Sequence, residues 1–293
     1  MPLSSIYQAP LDAPFWTPWK TVFPTQQEAD SIENVSAWLN QIRPESMPVS
    51  FVPQEQLPVG MAYETYIYQT GNIPTRDGLH DFFNALCWFT FPQTKIRLNR
   101  LQAAQIEQLG ITQARGTVRD AITVIDENGF LIQCPDELWQ ALQDKQWQTA
   151  FVTLRPLWQQ SKVIVFGHAL LEKLLNPYKA ITAHAIRIPD AVKLSGQAVH
   201  TTHAGEAVNN KPDPNSPAIF SEATIQQADE YLAGFLTAQT LQRKPFIPIQ
   251  IFGIPGWHEE QTSTGFYEDH KVFRAPNKEG EQAILDPSTP QTM

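Results

Sequence analysis

Cysteine is nearly missing from this 293-residue chain, with only Cys87 and Cys134 present. Both stand in apolar or strand-edge surroundings, which excludes a disulfide scaffold and fits a reducing compartment. Positive charge is also short: 21 Lys and Arg against 30 Asp and Glu leave a formal net charge of −9. A pI near 5.2 gives no long-range attraction to phosphate backbones or anionic lipid, so neither a nucleic-acid nor a membrane partner is expected. Charged residues make up 17% of the chain, below the roughly 25% of an average globular protein. Long apolar runs are lacking too. The best, Phe82 to Phe91, carries Asn84 and falls short of the ~18 residues of a membrane span. The N-terminus, "MPLSSIYQAPLDAPFWTPWK", has neither the basic start nor the continuous apolar stretch of a signal peptide, and a cytoplasmic location is expected.

What is present divides into an arm, one globular domain and a tail. Residues 1–24 are rich in proline and aromatics (Tyr7, Phe15, Trp16, Trp19, Phe23), a composition too apolar to float free and too broken for a helix, so the arm should wrap a groove. A single α+β domain is expected over 25–276, with a polar loop near 189–217 and a flexible tail over 277–293. Thr25 and Glu28 form a capping box, after which Ala29, Ile32, Val35, Leu39 and Ile42 recur at helical spacing up to Pro44. Ala62 to Gln69 has the β-branched and aromatic content of a strand. One helix should begin near Asp77 and end before Phe91-Pro92, and a second should run from Pro92 to about Gln108, closed by Gly110.

"RDAITVIDENGFLIQ" reads as a β-hairpin turning at Asp126 to Gly129. Two short helices follow, around Pro135–Gln143 and Gln148–Gln159. A buried strand, Val163 to Phe166, then leads through Gly167 into a helix beginning at His168, and Ser221 caps a further amphipathic helix. Without regular βα alternation, the expected architecture is α+β: a small mixed or antiparallel sheet surrounded by helices.

Chemistry concentrates in two places. In "RDGLHDFFNALCWFTFPQTKIRLN", His80 and Asn84 share a helical face beside a very apolar stretch. A histidine oriented by a carboxylate serves as acid or base near neutral pH; buried polar groups that only satisfy one another are the plain alternative. Cys87 cannot activate through His80, because seven helical residues span about 10.5 Å. The second place is Gly167-His168, where a strand opens into a helix whose free N–H groups attract anions, with Glu172 one turn on; a histidine that merely caps the helix is the plain reading. His168 and Glu172 have the i, i+4 spacing of metal ligands, which His80 or His184 would complete, but no HExxH or paired CxxC pattern is present, and no metal or cofactor is assigned. "HTTH", His200 to His203, belongs to the polar loop.

Arg76, Lys95 and Arg119 stand beside these motifs and are candidate binders of a small anion, with Asp120 as an orienting carboxylate and Trp257 as a stacking surface. For each cation the competing reading is an ordinary ion pair. The catalytic candidates are therefore His80, His168 and Asp120, and the substrate-binding candidates Arg76, Asn84, Lys95, Arg119 and Trp257.

Taken in order, "PTRDGLHDFFNALCWFTFPQTKIRLN", "RDAITVIDENG", "VFGHALLEKLLNPYKAITAHA" and "GIPGW…FYEDHKVFR" resemble the DUF3025 family of uncharacterised bacterial proteins. The resemblance covers most of Met47 to Pro276. It implies that His80, Asp81, Asn84, Lys95, Asn99, Arg119, Asp120, Asp126, Gly167, His168, Glu172 and Trp257 occupy family positions, while Leu79 stands where the family favours tryptophan. It brings no activity with it. Three functions compete: a hydrolase or transferase acting on a small anionic substrate through histidine acid/base groups, a non-catalytic binding or adaptor protein using the aromatic arm and Trp257, and a metal-dependent hydrolase.

Overall fold

A computed structural model describes residues 2–110, 116–195, 213–262 and 265–275. The "HTTH" stretch, most of the polar loop and the tail lie outside the described residues. In chain order the regular elements are α1 (Gln26–Ser31), α2 (Val35–Ile42), β1 (Ser50–Pro53), α3 (Tyr63–Thr70), β2 (Asn72–Thr75), α4 (Leu79–Thr90), α5 (Pro92–Leu109), α6 (Thr117–Asn128), β3 (Gly129–Gln133), α7 (Asp136–Gln143), β4 (Lys162–Val165), α8 (His168–Leu174), β5 (Thr182–Arg187), β6 (Ala218–Ile219), α9 (Glu222–Phe235), α10 (Ala238–Gln242) and β7 (Ile247–Gln250). The fold is α+β, as expected. Two small sheets are surrounded by helices: a parallel β1–β2 pair, and a five-stranded mixed sheet in the order β6-β4-β3-β5-β7. In the larger sheet β3 runs antiparallel to β4 and parallel to β5.

The N-terminal arm enters the core. It forms three short 3-10 turns; Phe15 and Trp16 stand on the second and Trp19 precedes the third, all buried. Trp16 stacks on Phe83 of α4 with ring centroids 6.0 Å apart, and Phe15 packs on Phe252 and Trp257. These contacts bring chain from both ends of the molecule against α4, the helix that carries His80.

Three sequence expectations are overturned. The hairpin at "RDAITVIDENG" is the helix α6. Its buried residues Val118, Ala121, Ile122 and Ile125 fall at i, i+3, i+4 and i+7, a helical stripe that also produces a local impression of alternation. Ala62 to Gln69 lies almost entirely within α3: Tyr66 and Ile67 form its buried face and Gly71, at φ 69°, ends it in the left-handed region, so packing overrides β-propensity. The capping box of Thr25 and Glu28 is present, but the helix it starts stops at Ser31. Asn34 then caps α2 by accepting a hydrogen bond from the backbone N–H of Ala37 at 2.8 Å.

α4 and α5 fall where the sequence puts them, separated at Phe91-Pro92. The start of α5 is capped from a distance. Asp229 of α9, 2% exposed, accepts the backbone N–H of Gln93 at 3.0 Å and of Thr94 at 2.7 Å. Burial raises its carboxyl pKa, with the Thr94 and Gln93 donors opposing that rise. Replacing Asp229 with Ala leaves two interior N–H groups without acceptors. The expected cost is about 2–4 kcal/mol, read as a lower midpoint in urea unfolding, with a smaller loss for Asp229→Asn. A midpoint unchanged in Asp229→Ala would show that the cap contributes nothing.

Candidate functional site

Two glycines set the approach of the site's elements. The carbonyl of Gly129, at the start of β3, accepts the N–H groups of both Phe166 and Gly167 at 2.9 Å, tying the end of β4 to the end of α6. At Gly167 a Cβ would lie 2.4 Å from the carbonyl oxygen of Glu127 and 2.5 Å from the N of Asn128, closer than any side chain allows. Glycine therefore lets the first turn of α8 sit against the last turn of α6. His168, the first residue of α8, consequently meets Asp126.

His168 is 6% exposed. Its Nδ1 lies 2.8 Å from the backbone carbonyl oxygen of Asp126, which can only accept, so Nδ1 carries the hydrogen. Burial pushes its pKa down to about 4 against the opposing pull of Asp126. The ring is thus neutral at pH 7 and its Nε2 is a lone pair. Facing it, at 3.2 Å, is Nε2 of His80 from α4, with the rings edge to face. The other nitrogen of His80, Nδ1, is 3.0 Å from the Glu172 carboxylate. That carboxylate also acts only as acceptor when ionised. For the contact between the rings to be a hydrogen bond, the hydrogen must come from Nε2 of His80. His80 is 43% exposed along its side chain and His168 7%. One ring reaches solvent and the other is shielded.

A second network lies behind the pair. Lys95 of α5, 4% exposed, pairs with the Asp126 carboxylate and donates to Oδ1 of Asn84 at 2.8 Å. Burial works to raise the Asp126 pKa, but Lys95 and His168 outweigh it and hold the carboxyl below its ordinary value. Asn84 Nδ2 in turn donates to the Tyr63 hydroxyl at 3.2 Å. Arg76 closes on Asp81 through Nε at 3.0 Å and Nη2 at 2.8 Å. A cavity of about 410 Å³ opens onto this arrangement, walled by Tyr63, Glu64, Arg76, His80, Asp81, Asn84, Gln102, Asp126, Glu127 and His168 among others. This size suits a small molecule.

The structure thus brings together His80, His168, Asn84 and Arg76, with Lys95 in an adjoining recess. Three other sequence candidates stand elsewhere. Asp120 is exposed on the first turn of α6 and does not line the cavity, whereas Asp126, six residues on, does. Arg119 is buried on α6 with its Nε unpartnered, and it is not among the residues lining the cavity. Trp257 is 4% exposed and packs on Phe15 and Phe130, so it serves the aromatic core. Asp77 accepts the N–H of Val35 and so caps α2, not α4. Glu172 does not converge with His168; it backs His80 from α8. His184 packs edge-on against Phe246. Among the described residues no three His, Cys, Asp or Glu side chains converge in a metal-holding group. Cys87, whose thiol pKa burial pushes up, donates to the carbonyl of Phe166. Tyr63 and Asp126 carry no local functional signal, because the strand-like composition of 62–69 and the turn-like 126–129 conceal the helices α3 and α6 that position them.

Because His168 titrates at about 4 in the fold against 6.5 ordinarily, the unfolded chain binds the proton first. Stability contributed by the neutral ring is complete above pH 6.5 and falls as pH drops towards 4, by about 3 kcal/mol. Thermal melts from pH 7 to 4.5 should therefore fall more steeply for the wild type than for His168→Gln. Parallel slopes would count against a buried neutral imidazole.

A model of the family described as "Protein of unknown function (DUF3025)" matches residues 49–277. No curated protein and no solved structure matches the chain. The matched span contains every element that forms the cavity.

Proposed function

The chain belongs to the DUF3025 family, and we propose that it is an enzyme, a hydrolase or transferase, in which His80 and His168 exchange protons with a small polar substrate. The observation that carries this reading is the 3.2 Å approach of the two Nε2 atoms, each ring held from behind by an acceptor at Nδ1. His168 is a neutral base on the cavity wall, shielded from bulk solvent. His80, backed by Glu172 and partly open to solvent, holds the proton to be delivered. General acid and base groups of this kind each contribute typically 10²–10⁴-fold.

The charge of the wall bears on the substrate. An anionic substrate was expected from Arg76, Lys95 and Arg119. Arg76 is neutralised by Asp81, Lys95 by Asp126, and Arg119 does not line the cavity. Glu64, Asp81, Asp126 and Glu127 all line it. A wall with this balance repels anions and favours an uncharged or cationic substrate. The adaptor reading loses its proposed surface, since Phe15, Trp16, Trp19 and Trp257 are all buried.

The test is turnover of uncharged and cationic chromogenic esters and amides by chelator-treated protein. The wild type should act on at least one, and His80→Ala and His168→Ala should each lose about 10²–10⁴-fold. Turnover that survives both substitutions, or that depends on stoichiometric zinc, would overturn the acid/base reading.

A further inference from the structure

The network behind the histidines fixes the orientation of a group that neither sequence motif includes. Lys95 Nζ has only hydrogens to give, so the atom of Asn84 that meets it at 2.8 Å is the amide oxygen. The amide NH₂ of Asn84 is therefore the end turned to Tyr63, and it donates to the phenolic oxygen at 3.2 Å. An oxygen that accepts on this side must direct its own hydrogen elsewhere. Among the described residues no side chain or carbonyl receives that hydrogen. Tyr63 lines the cavity that His80 and His168 also line. Its hydroxyl therefore has a hydrogen to give, on a residue of the cavity wall.

We propose that Tyr63 is a further catalytic residue, whose O–H donates to a carbonyl-type oxygen of the substrate as negative charge develops there, which makes the substrate a small uncharged or cationic ester or amide. This rests on the acid/base reading of the two histidines. Burial, and after it the carboxylates of Asp81, Asp126 and Glu64, raise the phenol pKa far above its ordinary value, so the group remains an O–H donor throughout the working range. The same carboxylates make a permanent anion unwelcome. An oxyanion that exists only during reaction is another matter, because the fixed dipole meets it without reorganisation.

The step balances with water as co-reactant. The water oxygen forms a bond to the carbonyl carbon; as the His80 Nε2 hydrogen moves off the His168 lone pair towards the leaving-group atom, that lone pair takes one water proton. The carbonyl π pair moves to its oxygen, where Tyr63 O–H holds it by hydrogen bond without giving up the proton. The pair returns, the bond from carbon to the leaving group breaks, and the leaving group takes the proton from His80 Nε2. His168 is then protonated and His80 neutral, and one transfer across the 3.2 Å gap restores the starting pair.

The experiment compares wild type, Tyr63→Phe and His168→Ala in hydrolysis of p-nitrophenyl acetate and the p-nitroanilide of alanine, with melting temperatures recorded in parallel. Phenylalanine keeps the ring and removes the donor. For a probe whose hydrolysis is lost in His168→Ala, Tyr63→Phe should lower kcat about 10²-fold, leave KM within about twofold and leave the pH profile in place. An undiminished kcat in Tyr63→Phe, or a loss confined to KM, overturns the role of Tyr63 while the histidine pair stands. If no probe is hydrolysed in a His168-dependent way, the acid/base reading fails and this proposal with it. A Tyr63→Phe protein that melts well below wild type is replaced by Asn84→Asp. That variant turns an acceptor towards the phenol and should likewise lower kcat by redirecting its hydrogen.

Discussion

The ammonium of Lys95, buried to 4% exposure, constrains the whole site. A charge in that position is tolerable only when paired and hydrogen-bonded. Asp126 supplies the opposite charge and Asn84 supplies an acceptor, so α5, α6 and α4 must meet at one point. The backbone of Asp126 then offers its carbonyl to His168, and the amide of Asn84 is left to face Tyr63. One buried cation thus ties together the residue whose carbonyl sets the His168 tautomer and the amide that donates to the Tyr63 hydroxyl. Removing it would leave the half-buried Asp126 carboxylate without its cation. The expected disturbance is therefore local to the cavity wall, where both orientations would be lost together.

The proposed function rests on the unequal environments of two chemically identical groups. His168 is shielded and neutral, and His80 touches solvent and has Glu172 behind it. Placing their Nε2 atoms 3.2 Å apart lets one ring hold a proton while the other accepts one. The cavity before them is walled by carboxylates, and its cations are already spent on ion pairs. Charge, tautomer and position all favour the proposed proton transfer to an uncharged or cationic molecule.

Much of this was legible in the sequence where local chemistry decides. The break at Phe91-Pro92, the capping box at Thr25 and the glycine before His168 each follow from steric or hydrogen-bonding rules acting over a few residues. The histidines and Lys95 were recognisable as candidates because polar groups beside apolar runs need a reason to be there. α3 and α6 were not legible. Tyr, Ile and Thr favour strands in isolation, and the short stripe of α6 mimics alternation; only packing against α5 and α8 resolves either. With α6 misread, Asp120 rather than Asp126 became the expected carboxylate. The pairing of His80 with Glu172, 92 residues apart, has no local signal at all.

The central claim is that the two rings form one hydrogen-bonded pair in which His168 accepts. Nitrogen-15 NMR of histidine-labelled protein at pH 7 reads this directly. Expected are a His168 with its hydrogen on Nδ1 and a bare Nε2, a hydrogen on His80 Nε2 directed at that nitrogen, and scalar coupling between the two Nε2 atoms. A His168 protonated on Nε2, or two rings with no coupling between them, would contradict it.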